Sequence, residues 1–237
     1  MQRSVPADAT RAPRVRGLNR DPWWLYLVLA VGSIIVAFPF VWMLLTSLKT
    51  VQDVYLPGIL PPSPTLDNYT QVLGRTGFPR WFLNSIVVAA GTTISVLFFD
   101  SLTGYTLAKL NFPGKEIIFV VILSTLMIPT EMLVIPWYIG ALQLGISNSY
   151  LAIALPGVMS AFGVFLMRGF FESIPDDLFD AGRLDGVGEF GLFWKIGMPL
   201  VRPALAALGI FTFLGNYNAF LWPLIITQSA DMRTLPV

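Results

Sequence analysis

The side chains available for chemistry are few in kind. The 237-residue chain contains no His and no Cys. That removes the commonest general base, the commonest metal ligand, and every thiolate or disulfide. Carboxylates, lysines, hydroxyls and amides remain. Two carboxylates, Asp100 and Glu131, stand inside apolar stretches. An ionised group there is costly unless it faces protein or a water-filled path. Three amides, Asn84, Asn216 and Asn218, stand in similar surroundings. An amide hydrogen-bonds a hydroxyl as donor or acceptor, so these residues suit either a polar route for a hydroxylated solute or bonds between helices. Asn84, Asp100, Asn216 and Asn218 are the candidate path residues. Asp100 and Glu131 could instead relay protons or cations, as in an ion-coupled secondary transporter or a channel. No nucleophile sits beside a base, no ligand spacing suits a metal, and no glycine-rich loop suits a phosphate. No catalytic residue and no metal site is assigned.

The elements that would position these groups are apolar helices. The composition is 55% hydrophobic and 12% charged, about half the charge of an ordinary soluble domain. So much apolar surface needs lipid as its solvent, and the chain reads as an all-α polytopic membrane protein. Net charge is +1, which implies no attraction to nucleic acid. Five spans are expected, over 23–48, 83–110, 116–136, 149–171 and 204–227. Residues 1–22 form a basic tail with Arg3, Arg11, Arg14, Arg16 and Arg20 against Asp8, which places the N-terminus in the cytoplasm. Residues 49–80 form an external loop rich in proline, with a short amphipathic helix over 65–73. The second span is rich in small residues that allow close helix approach. Proline is expected to kink or break the third and fourth spans, at Pro129 and Pro136 and at Pro156. The uncharged stretch 139–148 reads as an external loop. The last residues, 233–237, read as the lead-in to a further apolar helix, so the expected membrane region 23–237 is truncated before that helix.

Between the fourth and fifth spans lies a polar island, Glu172–Pro203. Together with Arg168 it holds ten of the chain's 29 formal charges. Backbone and charge of this kind go unsatisfied in hydrocarbon, so the island belongs in water, on the cytoplasmic side. Pro175, Asp176 and Asp177 suit a helix start, where acids complement the dipole. Gly186 and Gly188 break that helix, and a second, amphipathic one carries Phe190, Phe193, Trp194 and Ile196 until Pro199 and Pro203 end it. Two short helices joined at a glycine turn are expected, with Ala181 and Gly182 leaving a surface almost free of side chains.

The pattern Ile174-Pro175, Leu178, Asp180-Ala181-Gly182, Asp185-Gly186, then Phe193-Trp194-Lys195-Ile196 and Pro199-Leu200, resembles the EAA loop of the permease subunits of bacterial binding-protein-dependent ABC importers. It is most similar to the carbohydrate-uptake subfamily and its MalG-like second permease. Asn84-Ser85, Gly104–Lys109 with Phe112-Pro113-Gly114, Met127-Ile128-Pro129, Leu144–Ser149 and Asn216–Leu224 are similar to further landmarks of that family. Asp180 replaces the usual Glu and keeps its charge; Gly182 replaces the second Ala at a cost of roughly 1 kcal/mol in helix stability. The resemblance implies a multi-pass bacterial inner-membrane protein of six spans, with a second permease, a dimeric ATPase and an external solute-binding protein as partners. It implies no cofactor on this chain, with ATP and Mg on the ATPase. It assigns ATPase coupling to Asp177, Asp180, Ala181, Gly182, Asp185 and Gly186, and a sugar or sugar-like solute to the membrane path.

Overall fold

The computed structural model describes residues 22–237, and every regular element among them is helical. The arginine-rich stretch 1–20 lies outside the described residues. The chain divides into two compact units, 1–71 and 72–237.

In the first unit, α1 (Trp23–Ser47) is the first expected span. The chain after it folds back to satisfy the carbonyls left open at its end. The Asn68 amide donates to Ser47 O (2.9 Å) and Lys49 O (2.8 Å), and Thr65 N donates to Leu48 O (2.9 Å). The Lys49 ammonium donates to Gly58 O at 2.7 Å. The proline-rich loop is thereby closed on the helix it leaves. The short helix expected over 65–73 is α2 (Asp67–Arg75).

The second unit is built on α3 (Phe78–Lys109), which begins five residues before the expected second span. It packs along α7 (Ala161–Glu172) and α11 (Arg202–Tyr217). The small residues matter at the α3–α7 crossing. A Cβ on Gly104 would lie 2.8 Å from the backbone N of Arg168 and 2.8 Å from Met167 Cβ. Arg168 then ties α7 to α4 (Lys115–Ser124): its guanidinium donates to Glu116 (2.9 Å) and Glu172 (2.7 Å) and covers the Phe119 ring at 3.9 Å.

Among the described residues, α1 and α3 are long and apolar enough to span a membrane unbroken, and three bent helix pairs (115–127 with 130–143, 150–157 with 161–172, and 189–200 with 202–217) qualify if each is one span, giving up to five. The third span breaks at Ile128–Pro129, with axes at 92°. Proline forces the residue before it into an extended conformation, and Ile128 has φ −89° and ψ 116°. The second proline acts in the opposite sense to expectation. Pro136 lies in the first turn of α5 (Val134–Gln143), where no amide hydrogen is needed. Residues 139–143 are therefore helical, where a loop was expected. The fourth span breaks as expected, into α6 (Tyr150–Ala154) and α7, with a 50° bend. In the fifth, α11 stops at Tyr217 and α12 (Leu221–Ile226) restarts beyond Asn218, so the stretch 204–227 is two helices.

The closing residues do not extend as a helix. Asn84 and Trp81 of α3 bond the carbonyls of Ala230, Asp231 and Arg233, and Ser85 Oγ accepts from Leu235 N at 2.8 Å.

Candidate functional site

Within the island, α8 (Asp177–Leu184) is stopped by geometry that only glycine adopts readily. Gly186 has φ +78°. Val187 N donates to Gly182 O and Gly186 N to Arg183 O, both at 3.0 Å. This paired closure is the Schellman motif, with glycine in the left-handed position. Gly188 then caps α9 (Glu189–Leu192), which runs on through a π-helical turn (Phe193–Gly197) into α10 (Met198–Leu200). Pro199 does not end this helix, contrary to expectation. A wide turn just before a proline accommodates its missing N–H and its ring. The axis bends by 82° at Val201 instead, and Pro203 sits harmlessly in the first turn of α11.

The expected small-residue surface divides in two. Ala181 is exposed, as are Asp177, Asp180, Asp185 and Gly186. Gly182 is buried. A Cβ there would lie 2.5 Å from Leu192 Cδ2 and 3.0 Å from Ile196 Cδ1. Glycine replaces alanine at this point because α8 and the second island helix cross there. Leu184 is 90% exposed at the tip, beside Asp185 and Gly186, with Phe190 and Trp194 also exposed.

The inner side of the island rests on aromatic rings. Tyr105 of α3 packs within 5.5–5.7 Å, ring centre to centre, of Phe171, Phe179 and Phe193. All four are essentially buried. The Tyr105 hydroxyl donates to Glu189 Oε2 at 2.9 Å. Arg183 donates to Glu189 (2.8 Å) and to Asp180 (2.7 Å). Hydrogen bonding to Arg183, with help from Tyr105, holds the Glu189 carboxyl below the usual glutamate range, and the Arg183 guanidinium is correspondingly pushed up by Glu189 and Asp180. One turn further along α3, the Lys109 ammonium donates to Ile174 O (2.6 Å) and to Asp176 Oδ1 (2.5 Å), 5.0 Å from the centre of the Phe179 ring. That hydrogen bond and charge hold Asp176 below the usual aspartate range. In the sequence, Tyr105 and Lys109 stand out only as members of the landmark Gly104–Lys109. Their i, i+4 spacing puts both on one helix face and was the available signal.

The polar groups inside the spans are not brought together. Asn84 is fully buried and fully used: its amide donates to Asp231 O and Arg233 O, both at 2.7 Å, and its oxygen accepts from Tyr150 at 2.6 Å. Asp100 is likewise buried. It accepts from Ser160 N (3.1 Å) and Ser160 Oγ (2.8 Å), where the fourth span breaks. Ser160 Oγ in turn accepts from Gly163 N at 2.9 Å, so the pair caps α7. Glu131 is exposed beside the Pro129 break, far from that arrangement in the sequence and unconnected to it by any hydrogen bond. The relay reading of Asp100 and Glu131 gains no support from this geometry, in which the Asp100 oxygens bond the cap of α7. Asn218 is exposed, follows α11 directly and bonds Leu214 O at 2.9 Å. Of the four candidates, Asn216 lines a cavity formed where the broken spans converge, with Thr130, Trp137, Ser160 and Thr212.

Residues 101–237 match the family described as binding-protein-dependent transport system inner membrane component. Over 218 residues the chain is 38% identical to the arabinooligosaccharides transport system permease protein AraQ of Bacillus subtilis (strain 168), covering 90% of this chain and 78% of that one. It is 33% identical over 210 residues to the lactose transport system permease protein LacG of Rhizobium radiobacter, covering 89% and 77%. It is 34% identical over 217 residues to the sn-glycerol-3-phosphate transport system permease protein UgpE of Yersinia pestis, covering 88% and 77%. The fold is shared with a bacterial ABC transporter involved in import of the acidic polysaccharide alginate, at a TM-score of 0.80 and 23% identity over 90% of this chain and 76% of the other.

Proposed function

The chain belongs to the binding-protein-dependent transport system inner membrane components and is a permease subunit of an ABC importer, and from that premise we propose that it forms, with a second permease, the membrane path for a sugar or sugar-like solute. An external binding protein delivers the solute. A dimeric ATPase binds ATP and Mg and docks on the island, with the island and the N-terminus in the cytoplasm. The relatives named for arabinooligosaccharides, lactose and glycerol phosphate support a polyhydroxylated solute. The cavity carrying Asn216, Thr212, Thr130 and Ser160 suits such a solute, since each of these side chains bonds hydroxyl groups.

The observation that carries the coupling role is the exposed tip at Leu184, Asp185 and Gly186, set on an island braced from beneath by packed rings and charged pairs. A docked element transmits displacement only if it is stiffer than the interface that moves it. The exposed acids Asp177, Asp180 and Asp185 favour a basic cleft on the ATPase.

Affinity purification of the tagged chain from its own cells tests the assignment. Recovery of an ATPase and a second permease in one complex is the expected result. Transport by the isolated chain, driven by an ion gradient, would contradict it.

A further inference from the structure

The island is covalently joined to α7 and α11, and at that first junction Glu172 and Ser173 bond back to Arg168 and to Phe170 O of α7; beyond the junction, its side-chain attachments to a span take another course. They run to α3. Lys109 holds the entrance of the island, through Ile174 O and Asp176. Tyr105 holds the second island helix, through Glu189, which Arg183 ties back to Asp180 on the first. The two anchors lie four residues apart on one face of an unbroken helix of 32 residues. The covalent connections are weaker guides of motion: α7 reaches α8 through the short non-helical stretch 173–176, and α11 leaves through the 82° bend at Val201. The Lys109 side chain is 4% exposed, although it is charged and lies at a helix end. Burying a lysine head in this way is favourable only with bonded partners, here a carbonyl and a carboxylate.

We infer that Tyr105 and Lys109 are positioning residues for transport, a two-point grip through which a displacement of the island is delivered to α3 and along it to the rest of the bundle. The inference rests on the coupling role proposed above and names the route the motion takes. With both bonds present, the island and the end of α3 move as one body. Without them, the aromatic contacts keep the island folded, but it can tilt on the α3 end.

The chain has no cysteine, so an introduced reporter thiol is the only thiol on this subunit and is read on its separated band. Thr212→Cys places it in the cavity between the broken spans. In the complete importer in nanodiscs, maleimide labelling of this thiol is measured with and without ATP plus vanadate. Labelling should change by about fivefold or more when nucleotide is trapped. In a Tyr105→Phe/Lys109→Met background that change should vanish, while assembly and nucleotide trapping are retained. Lys109→Arg, which keeps the charged donor, should preserve the response. An unaltered response in the double variant would overturn the grip alone. A double variant that fails to assemble would assign these residues a merely structural role and overturn it too. An importer without the substitutions whose reporter ignores nucleotide would overturn the coupling role and the grip together.

Discussion

The Asp100 carboxylate accepts two bonds from one residue, Ser160, through the backbone N at 3.1 Å and the hydroxyl at 2.8 Å. It thereby fixes, from α3, the point at which the fourth span breaks and α7 begins. Asp100→Ala removes both acceptors and leaves the half-buried Ser160 N–H without its partner, at a cost of about 1–3 kcal/mol. The thermal midpoint of the purified complex should fall, and Asp100→Asn, which keeps one acceptor oxygen, should fall less. If Asp100 carried protons instead, the Asn variant would lose uptake with its stability intact.

Two glycines of α3 should behave oppositely. At Gly104 a methyl group meets the backbone of α7, whereas at Gly91 nothing lies within 4 Å of the added atom. Gly104→Ala should force α3 and α7 apart at a cost of about 1–3 kcal/mol. Gly91→Ala should be neutral, or stabilising by up to about 1 kcal/mol, because alanine favours the helix. Unfolding of the two variants in detergent, compared side by side, reads the difference.

Low pH should loosen the island before it disrupts the spans. Glu189 and Asp176 are held below their usual ranges by Arg183 and Lys109. A carboxylate held down in the fold contributes stability that is present above its ordinary titration range and is lost as pH falls through its lowered value. Hydrogen exchange of α8 and α9 should therefore be constant from neutral pH to about pH 5, after correction for intrinsic rates, and should accelerate below the ordinary carboxylate range near pH 4. Glu189→Gln should already exchange faster at neutral pH and show less of that acid step.

Gly186 sits in open space, so its substitution is costly for the backbone alone. A residue with a Cβ pays roughly 1–2 kcal/mol to hold the left-handed conformation. Gly186→Val should leave membrane insertion intact and lower the solute moved per ATP hydrolysed. Gly186→Asn, which tolerates that conformation better, should lie between the two.

The spans and the island were legible because both rest on local signals. Apolar length marks the helices, and the Asp185-Gly186 turn marks the end of α8. Missed features depended on partners remote in sequence. Gly182 has the composition of a docking surface, and only its contact with Leu192 shows that it faces inward. Asn84 has the chemistry of a path residue, but three partners, at 150, 231 and 233, already occupy it. Pro136 and Pro199 were read as stops. A proline stops a helix only where an N–H is required, and a first turn or a preceding π turn removes the requirement.

Crosslinking at the tip of the island tests the coupling claim most directly. In this cysteine-free chain, Leu184→Cys puts one thiol at the most exposed point beside Asp185 and Gly186. In the assembled complex, a short bifunctional reagent should join it to the ATPase subunit, and trapping ATP should change the yield. A thiol at Leu184 that labels freely in the full complex and never joins the ATPase would contradict the account.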